Sequence, residues 1–257
     1  MFKKIMTVVG ASGIQGGSVV TALPNNPAYS IRAITRNPQS DAAKALIDNG
    51  VEVVQADINS VNSLRSAFTG SHALFAVTNF ESLFRLGITK SMDTETTQEV
   101  NLADVAAATD FLEHYVWSTL PNTKQNSNGR AVVPYFESKN RTTFLWIGWY
   151  ASNIPLPTQH LTRIRMFDGN LKSSLHEMLA WFVVVHGIEA HCRQIAKDEY
   201  VKLWPVANEA GDISHRYFEI DGKGFSSVVE EVLTKEDLNV KGLVVTAEAF
   251  KSVPLLD

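Results

Sequence analysis

Gly10-Ala11-Ser12-Gly13-Ile14-Gln15-Gly16-Gly17 is the stretch that decides how this chain is read. It follows Ile5-Met6-Thr7-Val8-Val9, an apolar run with the composition of a buried strand, and it opens an amphipathic stretch over residues 13–23. A glycine-rich turn between a strand and a helix answers a specific physical demand. A phosphate binds backbone N–H groups at a helix N-terminus, and side chains at the turn would block its approach. Gly10 then permits a tight exit from the strand, Gly13 the close approach of the phosphate, and Gly16 the packing of helix on sheet. Ala11, Ser12, Ile14 and Gln15 complete the phosphate-binding turn. The competing reading is a glycine-rich βα turn that binds nothing.

Outward from this turn, apolar strands alternate with helical segments. Strands are expected over residues 30–35, 51–55, 73–77 and 114–118, with helices over 40–48, 61–68 and 95–108. Asn49-Gly50 closes the first of these helices, where a residue tolerant of positive φ is wanted. Parallel neighbours need crossover connections, so this alternation predicts a doubly wound α/β fold with a parallel sheet. The second half is less regular: a polar loop over 122–130, a short helix over 134–141, a strand over 143–149, and helices over 173–185 and 196–204. A soft boundary falls near Asn153-Ile154-Pro155. Residues 1–153 are read as a dinucleotide-binding Rossmann domain and 154–257 as a small, mostly helical lobe for substrate or partner.

In an open parallel sheet, ligands gather beyond the carboxyl ends of the strands. The second strand ends in Thr35-Arg36, followed by Asn37, Pro38, Gln39 and Ser40. An acidic residue there would hold a ribose 2′-hydroxyl. A guanidinium instead suits a 2′-phosphate, which favours NADP(H), against the alternative of a solvated arginine. Asp57 and Ile58, after the third strand, are placed to meet the adenine, although Asp57 can equally serve its own turn. Thr78, Asn79 and Phe80, after the fourth strand, belong on the ribose or nicotinamide side.

Tyr135 and Lys139 are four apart in a segment that can be helical, so they share a face. An ammonium beside a phenol lowers its pKa and poises it for proton transfer. Tyr135 is therefore the candidate acid for a carbonyl oxygen, Lys139 its electrostatic helper and a ribose-holding cation, and Ser118 or Thr119 a second donor. A structural tyrosine beside a cofactor-holding lysine remains the alternative.

These residues resemble the NmrA-like family, an atypical branch of the short-chain dehydrogenases. The resemblance is carried by Gly10 through Gly17, Arg36-Asn37-Pro38, Val116-Trp117-Ser118-Thr119-Leu120-Pro121-Asn122 and Tyr135-Phe136-Glu137-Ser138-Lys139. Asp198-Glu199-Tyr200-Val201-Lys202-Leu203-Trp204-Pro205 and residues 232–238 are similar to the tail of fungal members. The resemblance implies a Rossmann fold binding NADP(H), with Tyr150, Ala151, Ser152 and Asn153 touching the nicotinamide end. Activities in the family divide between reductases of fungal secondary metabolism and redox-sensing regulators that bind a protein partner without turnover. Many members carry histidine where Tyr135 stands, and tyrosine tilts the resemblance towards an enzyme. The chain departs from the family in length: only Asn140, Arg141 and Thr142 separate Lys139 from the next strand, and residues 165–175 look compressed.

Composition narrows the field. With 23 basic and 27 acidic residues and a net charge of -4, the chain lacks the basic excess that direct nucleic-acid binding requires. The single Cys192 cannot form an internal disulfide, and no apolar run reaches the ~18 residues of a membrane span. The N-terminal ten residues hold too few apolar side chains for a signal-peptide core. A cytoplasmic location is expected, or a nuclear one for a regulator. His176, His186 and His191 lack metal-ligand spacing and a completing carboxylate, so no metal is expected. No Gly-x-Ser-x-Gly elbow appears. The expectation is NADP(H)-dependent reduction of a carbonyl or imine in a small organic substrate. The alternative is a non-catalytic NADP(H) sensor acting on a protein partner, and a homodimer is left open.

Overall fold

A computed structural model of the chain describes residues 3–23, 26–79, 86–119 and 143–146, with positions 184, 185, 187, 202, 237 and 251. In chain order the elements are β1 (Lys4–Val9), α1 (Ile14–Ala22), β2 (Tyr29–Thr35), α2 (Asp41–Asp48), β3 (Glu52–Gln55), α3 (Val61–Phe68), β4 (Ser71–Ala76), α4 (Ile88–Ala107), β5 (His114–Thr119) and β6 (Thr143–Trp146). All belong to one compact unit, Met1–Asn122 with Pro134–Ile147; a second comprises Thr123–Val133 and Gly148–Asp257.

The six strands pair in the order β3-β2-β1-β4-β5-β6, and every pair is parallel. This is the doubly wound arrangement that the alternation of elements predicts. Successive strand residues point to opposite faces, and both faces are covered. Val9, Ile34 and Leu74 pack with Leu64, Ala67 and Phe68 of α3 and Leu102, Val105 and Ala106 of α4. Their neighbours Val8, Ala33 and Phe75 pack on the other face with Val20 of α1, joined by Leu46 of α2. Helix α3 is held at its far end by Arg32, whose Nη1 donates to the carbonyls of Ala67 and Thr69 at 3.0 and 2.7 Å.

Most elements fall where the sequence places them, within a residue or two. Of the strand expected over 143–149 the described part is β6, and helix α4 departs, starting at Ile88 and not Glu95. Its first two turns contain Thr89, Ser91, Asp93 and Thr94, residues whose side chains compete for backbone hydrogen bonds and favour loops. Here Ser91 and Thr94 return those bonds to the carbonyls four residues back, at 2.8 and 2.7 Å, within the helix. The helices expected over 134–141, 173–185 and 196–204, and the lobe over 154–257, lie outside the described residues except at scattered positions. Among the described residues no helix is long and apolar enough to cross a membrane.

Candidate functional site: the carboxyl edge of the sheet

Because all six strands run the same way, the segments following β1 to β5 emerge at one edge. Chain direction across the sheet reverses between β1 and β4, which opens a crevice at that point. The turn after β1 lies there. Gly10 has φ +73°, and a Cβ on it would lie 2.7 Å from Val77 Cγ1 at the end of β4. At Gly16 a Cβ would sit 2.2 Å from the carbonyl oxygen of Gly10 and 2.5 Å from its carbon. Helix α1 therefore rests directly on the turn, closer than any side chain allows; Gly16 seats the helix on the turn itself more than on the sheet.

Gly13 differs. It is the N-cap of α1 at φ −88° and ψ 175°, a conformation open to any residue, and it gives the helix no capping side chain. Its own N–H donates to Gly10 O at 2.9 Å. The first turn of α1 contains no acidic residue. Neither the N-cap nor the first turn of the helix thus supplies a carboxylate or hydroxyl to offset its N-terminal partial positive charge. Ile14, the first helical residue, is 61% exposed at this mouth.

After β2 the loop is pinned by short local bonds. Asn37 N donates to Thr35 Oγ1 at 3.2 Å, Gln39 N to Asn37 Oδ1 at 3.0 Å, and Ser40 caps α2 by accepting from Ala43 N. Arg36 is exposed on this fixed loop, and its guanidinium has no ion-pair partner among the described residues. After β3, Asp57 Oδ1 accepts from the backbone N–H and the side-chain amide of Asn59, at 2.9 and 2.7 Å. One carboxylate oxygen of Asp57 thus serves the turn, and Ile58 packs against the core. Ser118 is buried within β5, paired with Leu145 of β6, while Thr119 ends the strand.

Beneath the edge, α4 buries a polar strip that sequence reasoning missed. Ser91, Glu95, Gln98 and Glu99 are all buried. Glu95 Oε1 accepts from Thr78 Oγ1 at 2.6 Å. Burial holds the Glu95 carboxyl above its ordinary range, against the opposing effect of that bond. Burial, reinforced by the charge of Glu95, pushes Glu99 up to about 9. The signal was present in sequence, since Glu95, Gln98 and Asn101 recur at helical spacing just ahead of the apolar Leu102 and Val105. Of the remaining candidates, Phe80, Tyr135, Lys139, Tyr150, Ala151, Ser152, Asn153, His176, His186 and His191 lie outside the described residues. Among the described residues no group of three His, Cys, Asp or Glu side chains could hold a metal ion.

A doubly wound sheet whose bare glycine turn sits at the switch point defines the class: a Rossmann-type fold. The NmrA-like family model matches residues 2–143, more than half of the chain, and the chain belongs to that family. The NmrA-like family domain-containing oxidoreductase hkm9 of Aspergillus hancockii is 27% identical over 98% of this chain and 75% of its own length. The oxidoreductase notA′ of Aspergillus versicolor is 35% identical over 54% of this chain, but that match spans only 38% of notA′. Among solved structures, NmrA, a negative transcriptional regulator, aligns with a TM-score of 0.62 and 15% identity over 98% of this chain and 96% of its own. The Citrobacter sp. triphenylmethane reductase complexed with NADP(H) aligns with a TM-score of 0.62 and 19% identity, over 97% of this chain and 100% of its own. Both likenesses establish the fold.

Proposed function

We propose that this chain binds NADP(H) along the carboxyl edge of its sheet and reduces a carbonyl or imine of a small, secondary-metabolite-like substrate. The observation that carries this reading is the turn after β1. It leaves no space for a Cβ at Gly16 and gives α1 no cap. Such a cradle suits a pyrophosphate, which would lie on the segment from Gly10 to Gly16. The exposed Arg36, with Asn37, Pro38, Gln39 and Ser40, suits the adenosine 2′-phosphate. Asp57 and Ile58 would meet the adenine, and Thr78, Asn79, Phe80 and residues 150–153 the nicotinamide half.

When bound, the reduced nicotinamide supplies a hydride to the substrate carbon. Tyr135 donates its phenolic proton to the substrate oxygen or nitrogen. Lys139 favours the resulting phenolate by its charge and holds the ribose hydroxyls, while Ser118 orients the acceptor atom. Selection of substrate or partner would fall to residues 154–257. Relatives named as oxidoreductases support chemistry over sensing.

Calorimetric titration with NADPH tests the cofactor, and absence of binding overturns the reading. Tyr135→Phe should abolish NADPH consumption with a carbonyl substrate and leave NADPH affinity within about twofold; unchanged turnover rejects Tyr135 as the acid. A second reading, a non-catalytic sensor, takes its support from NmrA, described as a negative transcriptional regulator. It calls for tight nucleotide binding, no turnover across a carbonyl panel, and a protein partner whose affinity follows the NADP oxidation state.

A further inference from the structure

Glu95, Gln98 and Asn101 of α4 recur every third residue, a spacing that sets them side by side along a slanting row. The row reaches two different loops of the carboxyl edge. Glu95 accepts from Thr78 Oγ1 just past β4, at 2.6 Å. Gln98 Nε2 donates to Asn59 Oδ1 at 3.0 Å, and Asn101 Nδ2 to the carbonyl of Ile58 at 3.1 Å, both just past β3. Polar groups are costly to bury unless they are bonded, and an apolar row would pack the sheet at lower cost. The same helix shows that alternative in its second half, where Leu102, Val105 and Ala106 enter the core. The polar half therefore fixes loops where the apolar half only fills space.

The loop past β4 is coupled to the glycine turn. Thr78 follows Val77, whose Cγ1 lies so close to Gly10 that no Cβ would fit between them. A shift of Thr78 is felt at Val77 and hence at the turn. We infer that the Glu95–Gln98–Asn101 row is a positioning device for the nucleotide, with Glu95 setting the nicotinamide side through Thr78 and the two amides setting the adenine side through Ile58 and Asn59. The inference rests on the NADP(H) reading above, and the three residues act through others.

The two ends separate experimentally, because 2′,5′-ADP carries only the adenine half. Calorimetry on the full chain should show Glu95→Ala weakening NADPH by about tenfold and 2′,5′-ADP by less than about twofold. The pair Gln98→Ala and Asn101→Ala should weaken both ligands by similar factors. Glu95→Gln keeps an oxygen acceptor for the Thr78 hydroxyl and should bind NADPH nearly as the unaltered chain does. Thr78→Val should reproduce Glu95→Ala, and the double variant should bind no more weakly than either single one. Thr78→Val alone serves in place of Glu95→Ala if the latter does not fold. Equal loss of both ligands in Glu95→Ala, or Glu95→Gln as weak as Glu95→Ala, overturns the inference as general damage. If the unaltered chain binds neither ligand, the NADP(H) reading falls and the inference with it. If it binds both and Glu95→Ala and Thr78→Val bind them equally well, the inference alone falls.

Discussion

Glu99 lies buried on α4 with its Oε2 reached by no donor among the described residues, and the Tyr115 hydroxyl on β5 is in the same position. The two are electrostatically linked: burial and then the charge of Glu99 both push the Tyr115 phenol upward. A carboxyl in such surroundings avoids ionising, and Glu99 is pushed up from 4.5 to about 9, first by burial and then by Glu95. Its folded-state value lies above its unfolded one. The stability tied to its neutral form is therefore complete below about pH 4.5 and is lost as pH rises towards about 9. Glu99→Gln fixes the neutral state in nearly the same shape. It should match the unaltered protein near pH 4.5 and exceed it increasingly above that, by up to about 3 kcal/mol at pH 7. Urea unfolding at about pH 5, 7 and 9 reads this directly. A difference that does not grow with pH would mean that Glu99 ionises normally in the folded protein.

Helices α2 and α3 each begin with a serine, Ser40 or Ser60, whose side chain accepts from the N–H three residues on. Helix α1 has glycine in that place, although its N-cap geometry would admit aspartate. Gly13→Asp tests whether the missing cap is functional. A new cap contributes a few tenths of a kcal/mol over glycine, while its Cβ would press on Gly10 O at 3.3 Å. Stability in denaturant should stay within about 1 kcal/mol of the unaltered protein. A carboxylate set against a pyrophosphate costs several kcal/mol, so NADPH affinity should fall by at least about a hundredfold. Retained affinity would show that the phosphate does not approach this helix end. The same comparison explains what was legible in the sequence. Asn49-Gly50 closes α2 as read, and the serine caps that the structure shows mark the starts of α2 and α3, which fall within a residue of the expected bounds. Helix α4 has no such start signal: its N-cap is Gly87 at φ +84°, and its first turns are threonine- and serine-rich. Its inward polar row was missed because burial in a helix is read from apolar periodicity, and Glu95 and Gln98 break that pattern.

At the scale of the whole molecule, the alternation of strands and helices made the doubly wound sheet legible. The strand order follows from right-handed crossovers on either side of β1. The glycine turn after β1 was legible too, because its constraints lie in the backbone and are local. The proposed proton transfer would need Tyr135, Lys139 and Ser118 brought together from distant segments, and four-residue spacing alone does not fix that. The binding end therefore supplies the sharpest test. A ligand that binds only the folded chain stabilises it by about 2.7 kcal/mol at a hundredfold excess over Kd. For a protein of this size NADPH should then raise the melting temperature by roughly 5–10 °C. Arg36 is exposed and without an ion-pair partner among the described residues, so Arg36→Asp should leave the ligand-free melting point nearly unchanged. Its carboxylate would repel the 2′-phosphate and accept from a free 2′-hydroxyl. The variant should lose most of the shift with NADPH and gain one with NADH. Equal NADPH shifts in both proteins would show that the 2′-phosphate is held elsewhere, and a loss of both shifts would place Arg36 in the scaffold of the loop.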